Sequence, residues 1–437
     1  MSVDGFMIAA KPAAHFGMGA VAQLPALVRA AGADQVVVVT DAATAATPVI
    51  ATVLAVLAEA CLPARLFSGV HPVPSTDDIA AGAGAVAESA ARAAASASAS
   101  ASAAAVTAML RASAPLAAQA GAGFPIATSV SSAPVSPALA ARIALVAVGG
   151  GAPIDAAKGI AIAAVNPQRG RDLDYRGDFA VPALPIVAVP TTAGPGAETS
   201  ALGAVTDPAS HRTFYAGHAS SMPAAVILDP ALTVGLPPAV TAATGLDALT
   251  HALESYLSAR PNPWSDGIAL QAIRMVATSL PRACADGTDL AARSQLLLAA
   301  HMAGVAMAST GLGLCHAIAH SLGARWNIAH GVALAMLLPG TLRFNLPVRT
   351  ERMADVALAF GAGDTRAGAA RNAEAAIGAV TALRDEVGLD RRPGDFGVTE
   401  ADFGQIAADA LADEVLAGTP RPPGADDIRA ILMASAG

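Results

Sequence analysis

The sequence predicts a chain in two parts: an N-terminal α/β domain on a parallel sheet (residues 1–235) and an all-helical domain (residues 236–437). Three observations carry that prediction. In the first part, apolar β-type runs ending in turn residues alternate with helical stretches, the pattern of a parallel sheet covered by helices. From about residue 236 the β-type runs stop and every long segment has helical period. The length, 437 residues, exceeds what one small core organises and suits two or three domains.

Taken in order, "GAVAQLPALVRAAG" (19–32) reads as a helix and "QVVVVTD" (35–41) as a buried strand. "ARIALVAVGGG" (141–151) and "LPIVAVPTT" (184–192) are two more strands, with the helix "PIDAAKGIAIAAV" (153–165) between them. An Ala/Ser-rich stretch (90–141) interrupts this series. Alanine favours helix, but the stretch has almost no apolar stripe to dock with. We therefore expect a partly helical or disordered insertion on a surface loop. Past residue 236, "PAVTAATGLDALTHALESYLSA", "PWSDGIALQAIRMVATSL" and "DLAARSQLLLAAHMAGVAMA" are helical. "LLLAAHMAGVAMASTGLGL" (296–314) is apolar enough to suggest a membrane span. It contains His301, Ser309, Thr310 and several glycines, so it reads as a buried helix running into a loop.

Composition narrows the function classes. Hydrophobic residues make up 54% of the chain, dominated by alanine, which signals tight helix packing more than a membrane. A net charge of −8 with no basic cluster argues against nucleic acid and against anionic membrane surfaces as partners. Cys61, Cys284 and Cys315 are odd in number and scattered, which suits neither a disulfide framework nor a cysteine zinc site; a reducing cytoplasm is expected. "MSVDGFMIAAK" lacks a basic segment followed by an apolar one, so no secretory signal is expected. Lys11 and Lys158 are the two lysines among 26 basic residues, which draws attention to Lys158 and its motif.

That motif is "VAVGGGAPIDAAKG" (146–159). Gly149, Gly150 and Gly151 follow a strand and open a helix, where bare backbone amides and a helix N-terminus favour an anion such as a pyrophosphate. The spacing is not G-x-G-x-x-G, and a plain strand-to-helix turn explains it as well. Asp41, at the carboxyl end of an early strand, can accept from ribose hydroxyls and repel a 2′-phosphate, or can simply cap the next helix. In "GLDALTHALESY" (245–256), Asp247 and His251 stand four apart on one helix face, about 6 Å along the axis, either half a metal site or a helix-surface pair. "CHAIAHSLGARWNIAH" (315–330) repeats the spacing at His316 and His320 and ends on His330. Asp247, His251, His316 and His330 together make an N₃O set suited to a first-row divalent ion with a position left open. H-E-x-x-H is absent, which argues against a zincin protease. His15, His71, His211, His218 and His301 read as solvated or packed singletons.

Together these stretches resemble the iron-containing (group III) alcohol dehydrogenase family. "GGGAPIDAAK" is similar to its GGGSxxDxAK, "PTTAGPGAETS" to PTTAGTGSE, "LDPALTVGLPP" to DPxLTxxLP and "GLDALTHALESY" to GxDALTHAxE. "GLGLCHAIAHSLGARWNIAHGVALAMLLP" matches GLGxxHxxAHxLGxxxxxPHGxxxAxxLP almost throughout. The resemblance covers nearly the whole chain apart from the Ala/Ser stretch. It implies a dehydroquinate synthase-like fold, with the site between an α/β dinucleotide-binding domain and a helical domain. It implies Asp247, His251, His316 and His330 as ligands of Fe²⁺, with Zn²⁺ as the competing ion. It also implies NAD(H) held by Asp41, Gly149, Gly150, Gly151, Asp155, Lys158, Thr191 and Thr192. His320 becomes a catalytic residue outside the metal shell, serving as a proton relay. The expected reaction is hydride transfer between a small alcohol and its aldehyde or ketone, in a homodimer or higher homo-oligomer.

Departures from the family pattern gather on the cofactor side: Ala152 after the glycines, Val73 before a proline, Arg212 and Thr213 where a lysine is common, and Pro195 and Ala197 in the TTAG segment. Each lost neutral hydrogen bond would cost about 1 kcal/mol, so weaker dinucleotide binding is expected. Met307 replaces a common phenylalanine and implies a differently shaped substrate pocket. Two other classes compete. A dehydroquinate-synthase-like lyase would use the same NAD and metal but needs more basic residues for a phosphorylated substrate. A catalytically impaired metal-binding homologue would explain the cofactor-side departures.

Overall fold

A computed structural model describes residues 12–112, 142–169, 172–209 and 212–436. Six strands form one parallel sheet: β1 (Ala13–Phe16), β2 (Gln35–Asp41), β3 (Ala64–Val70), β4 (Ile143–Gly149), β5 (Ile186–Pro190) and β8 (Ala225–Leu228). Their order across the sheet is β1-β8-β5-β4-β2-β3, with every pairing parallel. Between β5 and β8 the chain makes an antiparallel hairpin, β6 (Leu202–Asp207) with β7 (Arg212–Gly217), a feature the sequence reading lacks.

The central strands are apolar on both faces because both faces are covered. Val36 and Val38 of β2, with Val146 and Val148 of β4, pack on α1 (Leu24–Ala30) and α3 (Pro48–Glu59). The alternate residues Val37, Val39, Leu145 and Ala147 join the other core, with Ile79 and Val86 of α4 (Thr76–Ala112) and Ile154 and Ile160 of α5 (Gly151–Ala163). The four-residue α2 (Ala42–Ala45) follows β2 directly. Gly149 ends β4 at φ +146°, and a Cβ there would meet Pro153 Cγ at 2.7 Å, so the tight strand-to-helix turn needs glycine.

The first part of the Ala/Ser-rich stretch is helical, one of the two forms expected for it. Residues 90–112 continue the helix begun at Thr76, and 37 residues of α-helix run about 55 Å. Residues 113–141 of that stretch lie outside the described residues.

From Pro238 onward every described element is helical: α6 (Pro238–Leu257), α7 (Pro263–Ala285), α8 (Leu290–Thr310), α9 (Leu314–Trp326), α10 (His330–Phe360), α11 (Ala369–Glu386), α12 (Phe403–Ala412) and α13 (Ala425–Ala436), with short 3₁₀ turns between. Local chemistry sets the starts: Asn262 accepts from Trp264 N and Ser265 N, and Asp289 from Ala292 N. α10 kinks at Arg349 (φ −135°, ψ 23°), beside Pro347. α8 and α10 are long and apolar enough to cross a membrane by length and composition. More than half of each apolar window is buried within the protein, so both serve as core helices.

Candidate metal centre and cofactor cleft

α6 places Asp247, His251 and Glu254 on one face, at spacings of four and three. α9 brings His316 in its first turn and His320 one turn later, and His330 opens α10. Nε2 of His251 lies 3.4 Å from Asp247 Oδ1, and Nε2 of His316 and of His330 each lie 3.8 Å from the same oxygen. Ligand atoms of Asp247, His251 and His316 all fall within 4.8 Å of one another; His330 stands outside this tight group of three. Asp247 and His316 are 2% and 1% exposed, whereas the His330 side chain is 43% exposed.

Asp247 Oδ1 and His316 Nε2 are buried without a hydrogen-bond partner. Two such orphaned atoms, aimed at one point, would be costly in a finished core. A divalent cation held by one carboxylate oxygen and imidazole nitrogens removes that cost, so the residues fit a metal.

The charges are arranged for this. Burial pushes the Asp247 carboxyl up, but the surrounding imidazoles outweigh it and hold the group at about 2. Burial pushes His316 down, but the carboxylates of Glu254 and Asp247 together outweigh it and lift the ring to about 9. Burial depresses His251. Glu254 accepts from His316 Nδ1 at 2.6 Å, Gly313 N at 2.9 Å and Cys315 N at 2.7 Å. One carboxylate thus holds the α9 N-terminus and turns His316 Nε2 toward Asp247, the outer-shell partner that a metal-ligating histidine needs. The sequence reading did not single Glu254 out, although its position seven residues after Asp247 puts it on the same helix face.

His320 stands apart from the group around Asp247. Its Nδ1 bonds Asp413 Oδ2 at 2.7 Å, and its ring stacks on His330 at 5.7 Å between centroids. Asp413 lies 93 residues away in the chain, and no local spacing announces it. Met307 is half-buried in the last turn of α8.

On the α/β side, Gly149, Gly150 and Gly151 form the turn into α5. Thr191 N donates to Gly149 O at 2.9 Å. Thr192 and Pro195 lie where Cβ atoms on Gly150 and Gly151 would stand, at 3.3 Å and 3.1 Å. Asp41 Oδ2 is 3.3 Å from the Cβ that Gly149 lacks, so the carboxylate borders the turn. Asp41 also caps α2, accepting from Thr44 N at 2.7 Å and Thr44 Oγ1 at 2.9 Å.

Lys158 and Asp155 differ from expectation. The Lys158 ammonium is fully buried and donates to Leu202 O (2.6 Å), Ala197 O (2.7 Å) and Asp155 Oδ1 (3.1 Å), while Asp155 Oδ2 accepts from Ala204 N (3.2 Å). These two side chains tie α5 to the start of β6; they do not offer free groups to a ligand. Among the departures from the family pattern, Val73 is exposed and Thr213 bonds Thr206 at 2.9 Å.

Three of the supposed singleton histidines have partners: His71 bonds Asp78, His218 bonds Ser220, and His301 Nδ1 meets Glu198 Oε1 at 3.0 Å. His211 lies outside the described residues.

Comparison with known proteins gives a consistent picture. A family model described as "Iron-containing alcohol dehydrogenase" matches residues 12–97 and 140–230, and "Fe-containing alcohol dehydrogenase family, C-terminal" matches residues 241–436. The chain is 46% identical over 254 residues to the probable alcohol dehydrogenase EutG of Escherichia coli K12, covering 58% of this chain and 63% of that protein. It is 37% identical over 265 residues to the NAD-dependent methanol dehydrogenase of Bacillus methanolicus, covering 60% and 70%. The chain therefore spans less than two thirds of the length of the first of these relatives. The solved structure of a 1,3-propanediol oxidoreductase superposes with a TM-score of 0.81 at 31% identity, covering 99% of this chain and 100% of that one.

Proposed function

Since the chain belongs to the iron-containing alcohol dehydrogenase family, we propose that it is a metal-dependent, NAD-linked oxidoreductase interconverting a small alcohol and its aldehyde or ketone. The observation that carries this reading is the orphaned, buried pair Asp247 Oδ1 and His316 Nε2, with His251 and His330 around it. In this reading residues 1–235 hold the dinucleotide and residues 236–437 the metal.

Asp247, His251, His316 and His330 would hold the ion, which when bound supplies Lewis acidity toward the substrate oxygen. Glu254 keeps the His316 ring in the tautomer that leaves Nε2 free to ligate. The amides of the Gly149–Gly151 turn and the α5 N-terminus receive the pyrophosphate, and Asp41 favours NAD(H) over its 2′-phosphorylated form. His320, fixed through Nδ1 by Asp413, exchanges the hydroxyl proton with solvent at Nε2. Met307 shapes the substrate pocket. Fe²⁺ is the working ion, although Zn²⁺ would bind an N₃O set more tightly. The enzyme works in the cytoplasm as a homodimer or higher homo-oligomer, without nucleic-acid or membrane partners.

The test is a panel of small alcohols and aldehydes assayed with Fe²⁺-reconstituted protein and NAD(H), followed by NADH absorbance. Turnover that is lost in zinc-only protein supports the reading. No turnover with any member of the panel rejects it, and a clear NADPH preference rejects the role of Asp41.

A further inference from the structure

The segment between β5 and β6 touches the glycine turn, α5, α6 and α8. Thr192 and Pro195 pack on the glycine turn, while Gly194 lies where a Cβ would meet Thr244 Cβ at 2.6 Å, one turn before Asp247 on α6. A Cβ on Gly196 (φ +65°) would lie 2.8 Å from Gly304 Cα on α8, and one on Gly304 would lie 3.0 Å from Gly196 Cα. Backbone therefore meets backbone where this segment crosses α8. The two glycines permit this close approach, and the Thr199 side chain packs beside them, its Oγ1 2.8 Å from the Cβ that Gly304 lacks. A directional polar contact adds to this packing. Glu198, at 3% exposure, reaches His301, at 9%, with Oε1 and Nδ1 3.0 Å apart. His301 stands three residues before Gly304, on the same face of α8. On its other side the segment is anchored to α5 by Lys158 Nζ, which donates to Ala197 O at 2.7 Å.

We infer that Glu198 and His301 are a positioning pair: they pin the segment that carries Thr191 and Thr192 against α8, and thereby set the distance between the glycine-turn cradle and the metal ligands. Neither residue belongs to the tight group of Asp247, His251 and His316, nor to the glycine turn. The inference rests on the proposed dinucleotide and metal reading, since it concerns the spacing between those two ligands. A charge-assisted bond from imidazole N–H to a buried carboxylate is strong and directional, which suits a pin. Near-attack geometry makes the spacing matter: a displacement of about 1 Å can cost about 100-fold in rate.

The experiment compares His301→Leu, which keeps bulk and loses the donor, with His301→Asn, whose Nδ2 can replace Nδ1 as donor. For His301→Leu we expect kcat to fall about tenfold or more, with KM for NAD within twofold, metal content unchanged and a larger deuterium isotope effect on kcat with a deuterated alcohol. His301→Asn should recover most of kcat. A second readout needs no turnover. With Co²⁺-loaded full-length protein, paramagnetic broadening of the nicotinamide proton signals of bound NADH reports the metal-to-nicotinamide distance. It should change in His301→Leu and return in His301→Asn. Should His301→Leu fail to fold, Glu198→Gln, which keeps an acceptor but removes the charge, is compared by the same broadening. Equal kcat and equal broadening in wild type and His301→Leu overturn the pin, as does an Asn variant no better than Leu. If the wild type turns over no substrate, the functional reading fails, and the broadening still decides the pin.

Discussion

The two sides of the cleft treat their buried polar atoms in opposite ways. In the helical half, Asp247 Oδ1 and His316 Nε2 are buried with nothing to bond. In the α/β half, Lys158 and Asp155, from an equally polar motif, are taken up by each other and by backbone groups of Ala197, Leu202 and Ala204. Orphaned side-chain atoms that converge on one point suit a ligand, whereas mutually satisfied ones suit scaffold. In the proposed reading, side chains would hold the metal, and the cofactor cradle would work through glycine backbone.

The largest effects should come from breaking the orphaned side. His316→Ala removes a proposed ligand and should weaken metal binding by more than about 100-fold, beyond the roughly 10–100-fold expected for Glu254→Gln, which only releases the ring. His320→Ala should retain the metal, because Nδ1 is tied to Asp413 and the ring lies outside the group around Asp247. Its turnover should fall about 100-fold as a proton relay is lost. Chelator competition and steady-state rates on the three variants check this ordering. A metal-free His320→Ala protein would break the division between ligand and relay.

The satisfied side should respond in stability. Lys158→Met leaves Asp155 without its cation in a buried place, where removing one partner typically costs about 3 kcal/mol or more. NADH affinity of the folded fraction should change less than twofold. Urea unfolding and fluorescence titration separate the two quantities. A tenfold loss of NADH affinity at unchanged stability would return Lys158 to the cofactor site.

Much of this was legible in the sequence, and the boundary of what was legible is physical. "QVVVVTD" sits in the structure as Gln35–Asp41, and the long C-terminal helices fall where their period puts them, because apolar period survives in a single sequence. β1 escaped notice because its four residues lie at the sheet edge, mostly exposed, and pair with Ala225–Leu228 over two hundred residues away. The candidate metal residues are legible because Asp247 and His251 share helical spacing, and His316 and His330 share one motif. Asp413 and Glu198 are not, since each meets its histidine across about a hundred residues. Rarity and a glycine-rich neighbourhood draw attention to Lys158 but do not say which way its side chain points, and it turns inward to Asp155 and the backbone of Ala197 and Leu202.

A smaller effect comes from proton linkage in metal-free protein. His316 is raised from an unfolded value of about 6.5 to about 9, so its contribution to stability is full below pH 6.5 and is lost as the pH rises through 9. Asp247 is depressed to about 2, so its contribution is full above about pH 4 and is lost as the pH falls toward 2. Burial depresses His251 and His330, so their rings resist the protons that the unfolded chain takes up below about pH 6.5. Metal-free protein should therefore melt highest near pH 6.5, with a Tm that drops by a few degrees by pH 9 and again toward pH 4. Metal-loaded protein should lose the alkaline decline, because an ion at Nε2 replaces the proton. Calorimetry across that range checks both slopes, and parallel curves with and without metal would remove His316 from the ligand set.

The smallest effect belongs to Asp41, which faces both sides of the comparison: its oxygens are satisfied by Thr44, yet Oδ2 borders Gly149. Asp41→Ala should cost about 1 kcal/mol through loss of the α2 cap. Asp41→Asn is the sharper variant, since asparagine caps about as well but carries no charge. If the carboxylate serves only as a cap, Asn should leave both stability and the NADH-to-NADPH ratio of kcat/KM at wild-type values. If it also repels a 2′-phosphate, Asn should keep the stability and move that ratio toward NADPH by several-fold, because the repulsion depends on charge and the cap does not. Paired melting and cofactor-competition measurements on the two variants therefore assign this one residue to scaffold alone or to scaffold and recognition together.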